Sequence, residues 1–285
     1  MTTITLKSPD VSVTIPEGFS EAQLRSFQPF NNWLNQLTHS LSLQSTNPSH
    51  PFHTDPYKLH SISIQSFDLF GSRVGFLKLQ AQISNNAGEH LPGGVFLRGP
   101  SVGMLVILIP ADAPQDTDER YVLLTVQARV PAGSLEFVEL PAGMVDGGPD
   151  DKEEGKFAGA AAKEIYEELG IEIKASELTC LSHLAAPTSS SKPNDAEEEG
   201  LSQAMYPSAG GCDEYVPIYM HERRVPRDTL KEWTGKLTGL RDEGEKITLK
   251  LVKLRDLWWE GRRDSKSLAA FALWEGARRE GRLKL

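Results

Sequence analysis

The chain has 285 residues and a formal net charge of −9, and 39% of its residues are hydrophobic while 24% are charged. It can bury one full core and carry a smaller appended region. No apolar run approaches the roughly 18–20 residues of a membrane helix, and no basic stretch would follow a phosphate backbone, so neither a membrane nor a nucleic acid is an expected partner. The first residues lack the apolar region of a secretory signal, which predicts a cytoplasmic location.

The first hundred residues are expected to form a small module. Residues 1–19 are predicted to be an extended, weakly structured leader, and residues 20–100 a helix followed by antiparallel strands. Apolar residues at helical spacing predict the helix from residue 21 to about residue 41, with an interruption at Pro29, since proline cannot donate a backbone hydrogen bond. Alternating apolar and polar residues predict strands at 60–67, 73–83 and 95–97.

Residues 101–285 are expected to form the main domain. Strand patterns occur at 102–109, 121–130, 135–140, 178–185, 214–220 and 247–252. Helical patterns occur at 154–169, 228–237 and 265–282. The polar, low-complexity residues at 188–204 cannot bury themselves and predict a mobile insertion loop.

Three glutamates lie on one side of the predicted helix at 154–169. Glu164, Glu167 and Glu168 stand at i, i+3 and i+4, so their carboxylates leave one face. They precede Gly170 at the helix C-terminus, where negative charge opposes the helix dipole and like charges repel by roughly a few tenths of a kcal/mol. A divalent cation would remove this cost, and clustered carboxylates suit Mg²⁺ or Mn²⁺. The spacing is equally compatible with a solvated acidic helix face.

The segment from Gly143 to Ile171 resembles the Nudix box, G-x5-E-x7-R-E-U-x-E-E-x-G-U, where U is aliphatic. Lys163 stands for the arginine, and the positions from Glu164 to Ile171 match the rest of the pattern. Gly143 lies six residues further from Glu164 than in the pattern, which indicates a loop insertion at 146–152. The upstream glutamate of the pattern falls on Gly155, with Glu153 and Glu154 out of register.

Further motifs extend the resemblance to the ADP-sugar diphosphatase branch of the Nudix hydrolases, and to its plant-type members in particular. These motifs are Gln127-Ala-Arg-Val-Pro131, Glu139-Leu-Pro-Ala-Gly143, Tyr206-Pro-Ser-Ala-Gly-Gly-Cys-Asp-Glu214, Phe96-Leu-Arg-Gly-Pro100 and Gly235-Lys-Leu-Thr-Gly-Leu-Arg241. The resemblance implies an α/β fold, a Nudix α/β/α sandwich with a mixed sheet, preceded by an N-terminal β-rich dimerisation module. It also implies a homodimer.

The resemblance assigns metal binding and catalysis to particular residues. Glu164, Glu167 and Glu168 would hold Mg²⁺, for which Mn²⁺ can substitute, and the backbone carbonyl of Ala142 would complete a metal site. Glu167 therefore also counts as catalytic. Glu214 matches the family's general base, carried on a glycine-containing loop that could close over the site. Glu214 is also compatible with the simple start of a strand.

The remaining candidates concern the substrate. Arg98 and Arg129 are candidates for gripping a diphosphate, because a guanidinium fork matches phosphate oxygens, although either could be an ordinary surface arginine. Glu139 is expected to contact the nucleoside or a metal-bound water, and Gly143 to allow close approach of the backbone to the ligand. Candidate aromatic platforms for a base are Trp33, Phe70 and Phe96.

The reaction implied by the resemblance is Mg²⁺-dependent hydrolysis of an ADP-sugar, such as ADP-ribose or ADP-glucose, to AMP and a sugar phosphate. One alternative is a UDP-sugar diphosphatase, since the motifs indicate the diphosphate-sugar chemistry better than they indicate the base. The other is a nucleotide-sugar-binding protein without turnover.

Overall fold

The structure is a computed structural model that describes residues 1–145, 153–186, 199–240 and 246–283. The chain divides into two compact units. Unit 1 comprises Met1–Pro100, Pro187–Ser202 and Ser208–Glu214, and unit 2 comprises Ser101–Ala186, Gln203–Pro207 and Tyr215–Leu285. The insertion expected at 146–152 and most of the mobile loop expected at 188–204 lie outside the described residues.

Unit 1 contains a six-stranded sheet. Its strands are β1 (Thr2–Lys7), β2 (Asp10–Ile15), β3 (Lys58–Phe70), β4 (Arg73–Ser84), β5 (His90–Leu91) and β6 (Gly94–Leu97). The order is β1-β2-β3-β4-β5, and β6 also pairs with β4. β2 and β3 run parallel, whereas β3 pairs antiparallel with β4, and β4 with β6. The antiparallel strands expected at 60–67, 73–83 and 95–97 are therefore confirmed.

The extended conformation predicted for residues 1–19 is confirmed by β1 and β2, but the prediction of weak structure is wrong, because the two strands pair as a hairpin. Along β2, the side chains of Val11, Val13 and Ile15 are buried while the residues between them are not. These side chains join the hydrophobic core of unit 1. The alternation that directs one face of a strand inward was present in the sequence, but the segment is short.

Two helices follow the hairpin. α1 (Glu21–Ser26) begins with a capping box in which Ser20 and Gln23 each satisfy a backbone amide of the other. α2 (Gln28–Thr46) starts afresh with Pro29 in its first turn, where the missing amide hydrogen costs nothing. The interruption expected at Pro29 is confirmed, although the second helix runs five residues beyond the predicted end at residue 41.

Unit 2 contains an eight-stranded mixed sheet. Its strands are β7 (Ser101–Pro110), β8 (Tyr121–Arg129), β9 (Ser134–Glu139), β10 (Ala142–Met144), β11 (Thr179–Cys180), β12 (Ile218–Val225), β13 (Leu237–Thr238) and β14 (Ile247–Lys253). The order is β11-β12-β7-β8-β14-β13, with β10 paired to β7 and β9 paired to β8. β12 and β7 run parallel, and the other pairs are antiparallel.

Helices cover both faces of this sheet. They are α3 (Glu153–Glu164), α4 (Leu181–Leu184), α5 (Arg227–Trp233), α6 (Leu257–Glu260) and α7 (Ser265–Arg279). α3 and α5 contribute to one hydrophobic core, and α4, α6 and α7 to a second core that also contains sheet residues. Every residue of β7 is buried, as expected for a central strand covered on both sides. The predicted α/β/α sandwich with a mixed sheet is confirmed.

Some element boundaries in unit 2 differ from the predictions. The strand expected at 178–185 is wrong beyond Cys180, because the apolar run continues as the short helix α4; a short apolar run does not distinguish strand from helix. The strand expected at 214–220 begins only at Ile218 and continues to Val225. α5 and α7 end at Trp233 and Arg279, earlier than predicted. No helix within the described ranges is long and apolar enough to cross a membrane.

Candidate functional site

The helix that carries the three glutamates changes its geometry where they begin. α3 ends at Glu164, and Ile165–Leu169 forms a π-helical turn instead of the predicted continuation of the α-helix. Gly170 ends it with a φ of +69°, and its amide donates to the carbonyl of Tyr166 at 2.9 Å. A π turn adds a residue to each helical turn and is frequent at functional sites. Here Glu168 as well as Leu169 faces inward.

Glu164 lies directly against Gly143 of β10. A Cβ atom added to Gly143 would overlap the carboxyl group of Glu164. The backbone of Gly143 does not have a positive φ, so glycine is needed here for space and not for its conformational freedom. The close approach predicted for Gly143 is thus made to a glutamate of its own chain.

Glu168 reaches the neighbouring residue of the same strand. Its side chain is almost completely buried, with 2% of the residue exposed. The amide of Ala142 donates a hydrogen bond to Oε2 of Glu168 at 3.2 Å. Burial of a carboxylate is costly unless such donors or a cation accompany it. Two carboxylates from the end of the box helix therefore meet at Ala142 and Gly143.

Glu167 has a different neighbour. Its carboxylate lies 3.6 Å from the Lys163 ammonium, one helical turn earlier. Across the described residues, no three His, Cys, Asp or Glu side chains are grouped closely enough to hold a metal ion. The donor set nevertheless suits a hard cation, because two carboxylates converge on β10 and a third lies on the same turn. Glu164, Glu167 and Glu168 are therefore the residues that would hold such an ion.

Arg129, the last residue of β8, and Glu139, the last residue of β9, form an ion pair. The Arg129 Nε donates to Oε1 of Glu139 at 2.6 Å. Glu139 is buried, whereas 40% of the Arg129 side chain is exposed. Across the described part of the chain, the two Nη groups of Arg129 make no hydrogen bond. Glu139 therefore holds the guanidinium of Arg129 through Nε and leaves the two Nη groups available to a ligand.

The second oxygen of Glu139 is occupied by Lys266, a residue that the sequence did not single out. The Lys266 ammonium donates to Oε2 of Glu139 and to Oδ1 of Asp264, both at 2.9 Å. Burial acts to lower the pKa of Lys266, but the carboxylates of Asp264 and Glu139 outweigh it and raise the pKa above its ordinary value. Lys266 is therefore charged at neutral pH.

Asp264 connects this network to the turn that precedes β10. Its carboxylate caps α7 by accepting the amides of Lys266 and Ser267. The same carboxylate accepts the amide of Leu140 at 2.8 Å, two residues before Ala142. Asp264 could have been found in the sequence as a helix-capping residue before an apolar periodic segment. Lys266 carries no local signal, because its partner Glu139 is 127 residues away.

Arg98 and Glu214 lie together in unit 1. The Arg98 Nη2 is 3.5 Å from Oε1 of Glu214. The carboxylate of Asp213 accepts the backbone amides of Arg98 and Gly99 and so joins the loop before Glu214 to the segment after β6. Burial raises the pKa of Asp213, although these backbone hydrogen bonds and the Arg98 charge act to lower it.

The aromatic candidates fall into two groups, both in unit 1. Trp33 packs beside Phe30, with ring centroids 6.1 Å apart, against the hydrophobic core. Phe70 and Phe96 are instead exposed and lie on either side of Phe76, with centroid distances of 5.0 and 5.3 Å. An exposed aromatic row of this kind can stack on a planar ligand, whereas a core tryptophan stabilises the fold.

The structure thus brings the site candidates together in three groups. Ala142, Gly143, Glu164 and Glu168 form the first, with Glu167 on the adjoining turn. Arg129 and Glu139 form the second, also in unit 2, and Arg98 with Glu214 forms the third, in unit 1.

Comparison with known proteins identifies the class that this fold and these carboxylates define. Residues 104–271 match the model of the NUDIX domain, so the chain belongs to the Nudix hydrolase family. These proteins are enzymes that act on pyrophosphates, and nucleoside diphosphate derivatives are their substrates. The chain is 35% identical over 275 residues to Nudix hydrolase 14, chloroplastic, of Arabidopsis thaliana, covering 95% of this chain and 78% of that protein.

Two solved structures are also similar. One, described as the crystal structure of an ADP compounds hydrolase, has a TM-score of 0.42 and 16% identity and covers 79% of this chain and 99% of its own. The other, a mutT/nudix family protein from Listeria innocua, has a TM-score of 0.35 and 14% identity and covers 64% of this chain and 95% of its own. Because both TM-scores are below 0.5, family membership rests on the sequence matches.

Proposed function

We propose that this protein is a Mg²⁺-dependent ADP-sugar diphosphatase, which hydrolyses ADP-ribose or ADP-glucose to AMP and a sugar phosphate. The observation that carries the proposal is the meeting of Glu164 and Glu168 at Ala142 and Gly143, where a box helix delivers two carboxylates to one short strand. The preference for an ADP-sugar is supported by the motifs around Arg129, Glu139 and Glu214, which resemble those of ADP-sugar diphosphatases.

Each group of residues has a role in this reaction. A bound Mg²⁺ would supply positive charge to offset the negative charge that builds on the phosphoryl oxygens. Glu164, Glu167 and Glu168 provide the hard oxygen donors for it, together with the carbonyl of Ala142. The Arg129 fork, presented outward by Glu139, binds phosphate oxygens as bidentate charge-assisted hydrogen bonds.

The family resemblance assigns further roles to residues of unit 1. Glu214 acts as the general base that takes a proton from the attacking water, while a new P–O bond forms and the bridging P–O bond breaks. Arg98, 3.5 Å from Glu214, is proposed as a further cation for binding phosphate oxygens. Phe96, exposed and next to the same segment, is a platform for the adenine ring. A homodimer in the cytoplasm remains a prediction, and the Arabidopsis relative carries the word chloroplastic in its name.

The proposal is tested by measuring phosphate released after a coupled phosphatase from ADP-ribose, ADP-glucose, UDP-glucose and diadenosine diphosphate, with and without Mg²⁺. We expect Mg²⁺-dependent turnover with ADP-sugars preferred. A preference for UDP-glucose would favour the uridine alternative, and stable binding without turnover of any compound would favour a non-catalytic binding protein.

A substitution of the buried glutamate tests the observation that carries the proposal. Glu168→Gln should lower kcat by about 10²-fold or more, since a catalytic metal is worth several kcal/mol of transition-state stabilisation. The matched control is Glu177→Gln, a change at an exposed carboxylate of the same unit, which should leave kcat unchanged. Equal rates for Glu168→Gln and the wild type would remove Glu168 from the metal site.

A further inference from the structure

Lys266 occupies one oxygen of a buried carboxylate whose other oxygen holds an arginine. Glu139 is 3% exposed. It accepts the Arg129 Nε at 2.6 Å on Oε1 and the Lys266 ammonium at 2.9 Å on Oε2. Lys266 is itself held in place by Asp264 at 2.9 Å. The two oxygens of Glu139 are thus divided between two cations.

This division determines which part of Arg129 is available. An arginine beside a free carboxylate prefers to place two parallel N–H groups on the two oxygens. With Oε2 taken by Lys266, Arg129 engages Glu139 through Nε, and across the described residues its two Nη groups have no hydrogen-bond partner. Those two groups form the end of the guanidinium fork that matches phosphate oxygens.

We propose that Lys266 is a positioning residue for substrate binding: by occupying the second oxygen of Glu139, it prevents a bidentate Arg129–Glu139 pair and keeps the Arg129 fork directed at an anionic group. This inference rests on the proposed function, in which the anionic group is the diphosphate of a nucleotide sugar. Lys266 contacts no substrate in this role. Its effect passes through Glu139 to Arg129.

The burial of two carboxylates beside position 266 explains why this position requires a cation. Glu139 and Asp264 are both buried, and Lys266 lies between them. A neutral side chain at position 266 would leave Arg129 as the counter-ion of Glu139, and the attraction of a buried carboxylate would draw the whole guanidinium onto it. Arg129 would then reach a ligand only after breaking that pair.

The first test is the substitution Lys266→Met, which keeps the length of the stem and removes the charge. KM for the nucleotide sugar should rise about tenfold or more, since a hydrogen bond to a charged group is worth about 1.5–3 kcal/mol. The value of kcat should change by less than about threefold, because the loss affects binding of substrate and transition state alike. The matched control is Lys250→Met, which removes the cation of another ion pair of unit 2, the one with Glu260, and should leave KM unchanged.

A double-mutant cycle separates positioning from a merely structural role. In a Glu139→Gln background the second oxygen no longer attracts Arg129 as an anion, so adding Lys266→Met should have little further effect on KM. If Lys266 only supports α7 through Asp264, its removal raises KM equally in both backgrounds, and the proposal is overturned. If Lys266→Met alone does not fold, because the buried Asp264 loses its cation, the variant Asp264→Asn/Lys266→Met removes that charge as well. Its KM should still exceed that of Asp264→Asn by about tenfold, and an equal KM would overturn the proposal.

A crystal structure of the Lys266→Met variant provides a readout that does not depend on activity. We expect an Nη group of Arg129 within hydrogen-bond distance of Oε2 of Glu139. An unchanged Arg129, still bonded only through Nε, would overturn the proposal. If the wild type turns over no nucleotide sugar, the proposed function fails; if it turns them over and Lys266→Met has an unaltered KM, only the role of Lys266 fails.

Discussion

Replacing Gly143 with alanine should separate activity from stability. The new methyl group would occupy the space of the Glu164 carboxyl group, so that carboxyl group must move by on the order of 1 Å or more. The atoms in the way are the outer part of a flexible side chain, and the backbone of Gly143 suits alanine. Unfolding free energy should therefore change by less than about 1 kcal/mol, within the range of an ordinary Gly→Ala change.

Turnover should respond much more strongly than stability. A misplacement of about 1 Å at a catalytic group can lower the rate by about 10²-fold, and disturbed support of a metal ligand lowers metal affinity by about 10–100-fold. We expect kcat to fall by about 10²-fold at saturating substrate, with the Mg²⁺ concentration for half-maximal activity increased. The assay is phosphate release over a Mg²⁺ titration, combined with thermal unfolding of the same samples.

A second glycine provides the control for this experiment. Gly159 lies within α3, is exposed, and has open space where a Cβ would be. Gly159→Ala should keep full activity and increase stability by up to about 1 kcal/mol, since alanine is the better helix former. Wild-type turnover by the Gly143→Ala variant at every Mg²⁺ concentration would refute the assignment of Glu164 to the catalytic site.

Two further predictions concern a base and an ion pair. Glu214→Gln should lower kcat by about 10²-fold or more while KM changes little, because a general base contributes about 10²–10⁴-fold and an amide cannot take a proton; an undiminished kcat would exclude this role. The Arg227 fork lowers the pKa of Glu119 to about 2 from 4.5, so the ion pair should stabilise the fold fully above pH 4.5 and lose that contribution as the pH falls through about 2. The melting temperature of Glu119→Gln should accordingly fall less than that of the wild type between pH 5 and pH 2, and parallel curves would contradict this reasoning.

Elements with strong periodic patterns could be predicted from the sequence, whereas elements determined by contacts between distant residues could not. β7 and the break at Pro29 were predictable, since a continuous apolar run and a proline act locally. The helix α4 was not, because Leu181 and Ser182 are buried by packing, and the Ser182 hydroxyl accepts the amide of Ile218 from β12. Tertiary contact there overrides local preference.

In the candidate site, too, local patterns could be predicted from the sequence and tertiary contacts could not. The i, i+3, i+4 spacing of the glutamates identified the metal-binding candidates, but an identical spacing fits an α-helix and a π turn, so the buried position of Glu168 was not predictable. The pairing of Glu139 with Lys266 depends on the tertiary fold, which sequence periodicity does not describe. Arg129 could be nominated from its residue type, whereas its bond through Nε to Glu139 of β9 depends on the tertiary fold.

The carboxylate of Asp264 fastens the beginning of the last long helix to the amide of Leu140. A helix near the C-terminal end thereby helps to hold a turn in the middle of the chain, although none of its residues is proposed to touch the substrate. Shortened or tagged versions of this protein therefore need Ser265–Arg279 folded and packed in its native position. If a version truncated in this helix has a low rate, the cause would be a displaced Leu140-Pro-Ala-Gly143 turn and not an intrinsically slow enzyme.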